Sequence, residues 1–260
     1  MKYMIRIAFN GESFYGTQKQ KKERTIQGVF EECLSSLYDT EISVTICSRL
    51  DRGVNALDYA LTFTPVDNRI TISHLKYYLT RYFKDEILIK NVVEVDDSFS
   101  PRYDCSKKTY CYLIQKSSAF NPLLKNISYI TKKDIDVDKI KECISLFKGT
   151  HDFRRFATPE GDENTVLKID SVSVKEKHGM IYLRFTSKAF LRYQVRFMVG
   201  AIVTYAFNKG TLDQIKELLD GKDNDFPKNK APAHGLFLEK IDYPTLYKND
   251  DNVNFASVSF

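Results

Sequence analysis

The stretch Cys47-Ser48-Arg49-Leu50-Asp51-Arg52-Gly53-Val54-Asn55-Ala56 runs into Tyr59-Ala60-Leu61-Thr62-Phe63-Thr64. The first part sets a carboxylate between two guanidinium groups and follows it with glycine. The second alternates Tyr59, Leu61 and Phe63 as a strand does. A charged loop thus opens directly onto a strand. Upstream, Tyr3 to Phe9 also alternates, and Asn10-Gly11-Glu12-Ser13 breaks it into a loop carrying Phe14-Tyr15-Gly16-Thr17-Gln18. Between that loop and the quoted stretch, Ile26, Val29, Phe30, Cys33, Leu34 and Leu37 recur at helical spacing, with Thr25 placed to cap the helix. Ile72, Leu75, Leu79, Tyr82 and Phe83 predict a second helix, and Ile87 to Val95 a further strand. The first part of the chain reads β-α-β-α-β around the loop that holds Asp51.

The second part repeats the order. A strand is expected at Tyr110 to Ile114, and a helix from Val137, Ile140, Cys143, Ile144 and Phe147. Strands follow at Ile169 to Val174 and Met180 to Phe185, then a long helix from about Ala189 to Asn208 that ends at Gly210. Thr211 and Gln214 have the spacing of a capping box, Gly221 closes that shorter helix, and Leu236 to Ile241 returns to strand. The expectation is an α+β fold. Two similar β-α-β halves, 1–104 with the Asp loop and 105–260 with the Tyr110 strand and the long helix, form a mixed, mainly antiparallel sheet flanked by helices, with a central cleft.

A chain of 260 residues, 43% hydrophobic, is long enough to bury a sizeable core. The apolar run from Phe197 to Phe207 falls short of the roughly 20 residues a membrane span needs, and Met1 to Ile7 alternates without a signal-peptide core. A cytoplasmic protein without membrane attachment is expected. The five cysteines, Cys33, Cys47, Cys105, Cys111 and Cys143, are scattered and contain no C-x-x-C pair, which argues for reduced, buried thiols and against a zinc site. The four histidines form no local metal motif.

A net charge of +5 decides little by itself. Clustering is more informative, because phosphates need cations and unstacked bases need flat faces. Phe14-Tyr15 precedes Lys21, Lys22 and Arg24; Arg102-Tyr103 precedes Lys108; Arg154-Arg155-Phe156 and Arg192-Tyr193 with Arg196-Phe197 repeat the pairing. Single clusters of this kind are also ordinary solvated edges, whereas four favour RNA or single strands. Arg49 and Arg52 would keep Asp51 ionised, and Gly53 permits a close backbone approach. The same triplet also fits an exposed ion pair worth roughly 0–1 kcal/mol. Arg192 and Arg196, four apart on the expected helix, would share one face. Arg196 lies in an apolar run, where a guanidinium needs a carboxylate partner, and Asp51 is one option among structural ion pairs.

Three segments resemble the TruA-type tRNA pseudouridine synthases. Ser48-Arg49-Leu50-Asp51-Arg52-Gly53-Val54-Asn55-Ala56 is similar to that family's central G-R-T-D-x-G-V-H-A pattern. Ser98 to Tyr112 is similar to the stretch bearing its active-site tyrosine, and Phe190 to Gly200 to the helix bearing its arginine. Weaker echoes lie at Phe9 to Gln18, Arg24 to Gly28, Phe153 to Phe156 and Ala233 to Leu236. The resemblance implies isomerisation of uridine to pseudouridine in the anticodon arm of tRNA, by a homodimer, with no metal or organic cofactor. It implies catalytic roles for Asp51, Tyr110 and Arg196, and a substrate pocket at Gly53, Val54 and Leu236. RNA contacts are expected from Arg49, Arg52, Asn55, Lys21, Lys22, Arg24, Lys108, Arg154, Arg155 and Arg192. The family's Gly, Thr and His of the central pattern are Ser48, Leu50 and Asn55 here, and Thr17 stands where a Trp is usual. These departures motivate two alternatives: the same chemistry at another tRNA or ribosomal RNA site, and an RNA-binding protein without turnover.

Overall fold

The computed structural model describes residues 1–243, which divide into two compact units, 1–106 with 238 onward, and 107–237. Among the described residues of the first unit, the strands are β1 (Lys2–Phe9), β2 (Thr45–Ile46), β3 (Asn55–Phe63) and β4 (Ile87–Val95), with helices α1 (Ile26–Tyr38) and α2 (Ile72–Phe83). β1 lies antiparallel between β3 and β4, with Ile5 opposite Leu61 on one side and Val92 on the other, and β2 pairs with β3. Tyr3 through Ile7 are all buried, so β1 is covered on both faces and does not show the half-exposed alternation of a surface strand.

α1 forms where the spacing predicts it. The Thr25 side chain accepts from the Gly28 N–H at 3.2 Å, and the helix buries Ile26, Phe30, Cys33, Leu34 and Tyr38. α2 is capped by Thr71 and buries Leu75, Leu79 and Phe83. The Phe30 and Phe83 rings meet at 4.5 Å, joining the two helices. Each such side chain contributes on the order of 1.5–3 kcal/mol through burial.

The second unit holds β5 (Lys107–Gln115), β6 (Tyr129–Ile130), β7 (Gly149–Asp152), β8 (Val166–Ile169), β9 (Ser171–Lys177) and β10 (Met180–Ser187), with helices α3 (Val137–Ser145), α4 (Gln194–Ala206) and α5 (Leu212–Leu219). β10 runs antiparallel between β5 and β9, β6 joins β5 in parallel, and β7 with β8 forms a separate ribbon. The fold is therefore α+β and mainly antiparallel with a parallel element, as the sequence leads one to expect. The capping box of α5 is present: Gln214 N–H reaches the Thr211 hydroxyl at 3.3 Å, and Thr211 N–H reaches the Gln214 side chain at 2.9 Å.

Two expectations are corrected. The helix expected from Ala189 starts at Gln194, because Tyr193 takes a left-handed conformation (φ 64°) and the Arg192 carbonyl accepts from Thr158 N–H at 3.0 Å instead of from the helix. Arg192 therefore precedes the helix and shares no helical face with Arg196. The second concerns the division of the chain. The strand β11 (Leu236–Asp242) enters the first unit at Leu238 and lies beside β3, so among the described residues the first unit is not the continuous segment 1–104, and the second ends at Phe237.

What draws β11 into the first unit is a buried charge cluster. Arg6 Nε donates to Asp58 Oδ1 at 2.9 Å, Arg6 Nη2 pairs with Asp58 Oδ2, and Lys90 Nζ stands 3.5 Å from Asp58 Oδ1. Ile241 N–H donates to Asp58 Oδ2 at 3.2 Å, while its carbonyl accepts from Arg6 at 3.1 Å. Buried charges of this kind persist only when paired and fully hydrogen-bonded. β11 completes that bonding, and Tyr243, the next residue, donates to the Pro101 carbonyl at 2.6 Å.

Candidate active site

In the first unit, Asp51 sits half-buried on a tight turn closed by Val54 N–H donating to the Asp51 carbonyl at 3.1 Å, with Gly53 at φ 81°. Only glycine takes that angle without strain. The 10–17 loop braces the turn on both flanks. On the N-terminal side, the Thr17 hydroxyl donates to the Ser48 carbonyl at 3.1 Å and accepts from Leu50 N–H at 2.8 Å, and Thr17 N–H donates to the Leu50 carbonyl at 3.1 Å. On the C-terminal side, Asn55 Oδ1 accepts from Gly11 N–H at 2.9 Å. Gly16 makes the approach possible, since a Cβ there would stand 2.6 Å from the Leu50 carbonyl oxygen. Gly11 likewise lies against the Val54 carbonyl, where no side chain fits.

This bracing corrects one expectation about the RNA-facing residues. Asn55 is 2% exposed, and its side-chain carbonyl is engaged by Gly11, so it is a strut within the protein and does not face RNA. Thr17, 0% exposed, does the same work on the other flank, and Leu50 is buried. Val54 is buried too. Arg49 and Arg52 are exposed, and the Arg52 guanidinium lies 3.9 Å from the centre of the Tyr15 ring, a cation–π contact. Lys21 and Lys22 are exposed, while Arg24 pairs with Glu86 at 2.6 Å and covers the Phe14 ring at 4.7 Å.

In the second unit, Tyr110 lies buried on β5 opposite Phe185, with its ring edge-to-face against Phe190 at 5.0 Å. Arg196 occupies the first turn of α4. Its Nε donates to the Ala231 carbonyl at 2.8 Å, its own carbonyl accepts from Ala231 N–H at 3.0 Å, and its guanidinium carbon is 5.5 Å from the Tyr193 ring. The 230s loop therefore fixes where this cation stands. Tyr112, two residues beyond Tyr110, donates to the Pro232 carbonyl at 2.8 Å, and Gly235 packs against its ring. Burial pushes the Tyr112 phenol far above the ordinary tyrosine value, against the opposing pull of Arg196, so it stays protonated as a structural donor. Leu236 is buried immediately after this contact.

The remaining cations separate by environment. Lys108 is 8% exposed, so it does not stand on the surface as expected, whereas Lys107 does. Arg154 is exposed, Arg155 pairs with Asp223, and Arg192 pairs with Glu160 at 2.8 Å. Sequence reasoning missed Lys228 and Lys230. They stand 5.2 Å from the Phe197 ring and 3.9 Å from the Tyr193 ring. Their signal was two lysines in a Pro/Asn loop, with no hint that the loop folds back onto α4. Among the described residues, no helix is long and apolar enough to cross a membrane.

A rigid, glycine-braced turn presenting a carboxylate, on an α+β scaffold that also carries a buried tyrosine and a loop-fixed arginine, suits nucleophilic or acid–base chemistry. Comparison with known proteins defines the class. Residues 143–244 match the family model described as tRNA pseudouridine synthase. The curated tRNA pseudouridine synthase A of Aquifex aeolicus is 35% identical over 239 residues, covering 92% of this chain and 98% of that protein. Its counterpart in Mycoplasmoides gallisepticum is 34% identical over 242 residues (92% and 90%), and that of Dictyoglomus thermophilum 33% over 242 residues (93% and 99%). A solved archaeal box H/ACA sRNP Nop10-Cbf5 complex aligns at 11% identity over 75% of this chain and 44% of that one, with a TM-score of 0.37, too slight a likeness to argue from. The chain belongs to the tRNA pseudouridine synthase family, isomerases that convert uridine to pseudouridine in tRNA.

Proposed function

We propose that this chain isomerises uridine to pseudouridine in the anticodon arm of tRNA, with Asp51, Tyr110 and Arg196 as the groups that act on the nucleotide. The reaction breaks the N1–C1′ bond, turns the uracil within the site and forms a C5–C1′ bond; C5 loses a proton and N1 gains one. It calls for an ionised carboxylate at the glycosidic bond, which is the role given to Asp51, and for a closed site that keeps the detached base. Tyr110 offers the flat face and a hydroxyl for the proton at C5. Arg196 is the cation this reading gives to the reaction, and Arg49 and Arg52 meet phosphates. The reading assigns Gly53, Val54 and Leu236 to the substrate pocket. No metal or organic cofactor enters this scheme.

The observation that carries the reading is the double bracing of the Asp51 turn. A merely exposed ion pair needs no such positioning, whereas a reacting carboxylate must be held to within about half an ångström. Of the departures from the family pattern, Asn55 and Thr17 are buried and brace the turn through their side chains, while Leu50 is buried and takes part through its backbone. They therefore lend little support to a different RNA target. The reading also takes the enzyme to be a cytoplasmic homodimer whose basic surfaces span one tRNA, a feature supported by the resemblance and tested by sedimentation of the purified chain. The activity test uses transcribed tRNA tritiated at uridine C5. Release of tritium by the wild type and none by Asp51→Asn is the expected outcome, and full release by that variant refutes the assignment.

A further inference from the structure

The second unit contains a cavity of about 250 Å³ that none of the proposed catalytic groups lines. Phe197 and Ala201, one turn apart on α4, form one wall, Leu218 of α5 another, and Phe226, Asn224 and Arg155 complete it. Cavities that hold drug-sized ligands run to roughly 300–1,000 Å³, so this one suits a single planar group. Its walls are preformed. Asn224 donates to the Gln214 carbonyl at 2.8 Å and accepts from Phe226 N–H at 3.1 Å, and Asn229 donates to the Thr204 hydroxyl at 3.0 Å. The Asn229 carbonyl lies against Gly200, where no side chain fits.

The charged groups at the cavity differ in how they are neutralised. Arg155 is already paired with Asp223, so its guanidinium brings no unneutralised charge to the lining. Lys228 lines the cavity, Lys230 lies over the rings of Tyr193 and the cavity-lining Phe197, and neither lysine has a carboxylate partner among the described residues. A free anion would favour an unneutralised cationic floor, whereas a nucleotide favours aromatic walls, a few hydrogen-bonding groups and cations outside.

We propose that this cavity receives one unstacked nucleobase of the substrate RNA, at a site separate from the isomerised uridine, with the flanking phosphates held by Lys228 and Lys230. The inference rests on the reading that the chain acts on tRNA. It makes the cavity an anchoring subsite that adds to affinity and takes no part in bond rearrangement.

Two variants test it. Leu218→Trp fills the cavity from α5, and Lys228→Ala with Lys230→Ala removes the rim charges. Binding of transcribed tRNA and of a fluorescently labelled single-stranded RNA is measured across a salt series, beside tritium release at saturating tRNA and thermal melting. Leu218→Trp is expected to weaken binding of both RNAs about tenfold, the scale of one lost base stack. The double lysine variant is expected to flatten the logarithmic salt slope by about two. Melting and saturated turnover stay near wild type. Affinities within twofold of wild type in both variants, with both folded, overturn the proposal whatever the isomerase assay reads. Cavity-dependent RNA binding by a wild type that releases no tritium would instead end the functional reading and leave the subsite standing.

Discussion

Asp51 and Asp58 lie on the same short stretch of chain, each with arginines for company, and their environments give them opposite work. Asp58 is 8% exposed and every direction around its carboxylate is occupied, by Arg6, Lys90 and the Ile241 N–H. Asp51 is half-buried, on a turn whose backbone the neighbouring loop holds at Leu50. A carboxylate enclosed by protein partners holds a fold together. One presented by a braced backbone can meet a substrate. Both sites set a carboxylate among cations; burial and full enclosure mark the Asp58 site.

That contrast can be broken experimentally. The largest effect is expected from Asp51→Asn, which should lower tritium release by at least about a thousandfold while leaving the urea midpoint close to wild type. Next, Asp58→Ala should strand two buried cations and cost about 3–5 kcal/mol of stability, read as a lower urea midpoint with unchanged slope. Replacing Arg6, Asp58 and Lys90 together by apolar residues of similar size should recover most of that loss, which sharpens the assignment of the cluster to stability alone. A variant Asp58→Ala that is stable but inactive would reverse the comparison.

A smaller effect is expected where bracing and chemistry meet. Asn55→Ala leaves the buried Gly11 N–H without its acceptor, at about 1–3 kcal/mol, and loosens the Asp51 turn. Turnover should fall more than tRNA affinity does, a split that single-turnover assays with separate binding measurements would show. Equal losses in both would return Asn55 to RNA contact. The smallest effect concerns the thiols. All five cysteines are buried, and burial pushes Cys33 and Cys143 up to about 12. Above their ordinary value of 9.0 the unfolded chain loses protons that the folded one keeps. Stability contributed by these thiols is therefore complete below pH 9 and declines as pH rises towards 12. Denaturation midpoints at pH 8 and pH 10.5 should show the decline, and a thiol reagent at pH 8 should label the native protein only slowly.

Much of the fold was legible in the chain itself, because helices and strands with one apolar face announce their period locally. The stripes of α1 and α2, the Thr25 cap and the capping box of α5 all follow from neighbours within a few positions. Local signals also misled. The apolar run after Phe190 reads as uninterrupted helix, yet its start is set by a hydrogen bond from Thr158, distant in sequence. Lys108, Asn55 and Arg24 look like phosphate ligands by type, and each is claimed by a protein partner or by burial that no local pattern encodes.

By itself, the sequence determined the α+β character, the positions of most elements and the loop that carries Asp51, since these rest on periodicity, capping and turn chemistry read over short distances. Only the tertiary structure decided that β11 closes the first unit around Asp58, that Thr17 and Asn55 tie the turn to a separate loop, and that Lys228 lines a cavity on α4 with Lys230 over a ring of its wall. Those outcomes depend on contacts between residues far apart in the chain, where burial and pairing of charge, not local preference, set the energy.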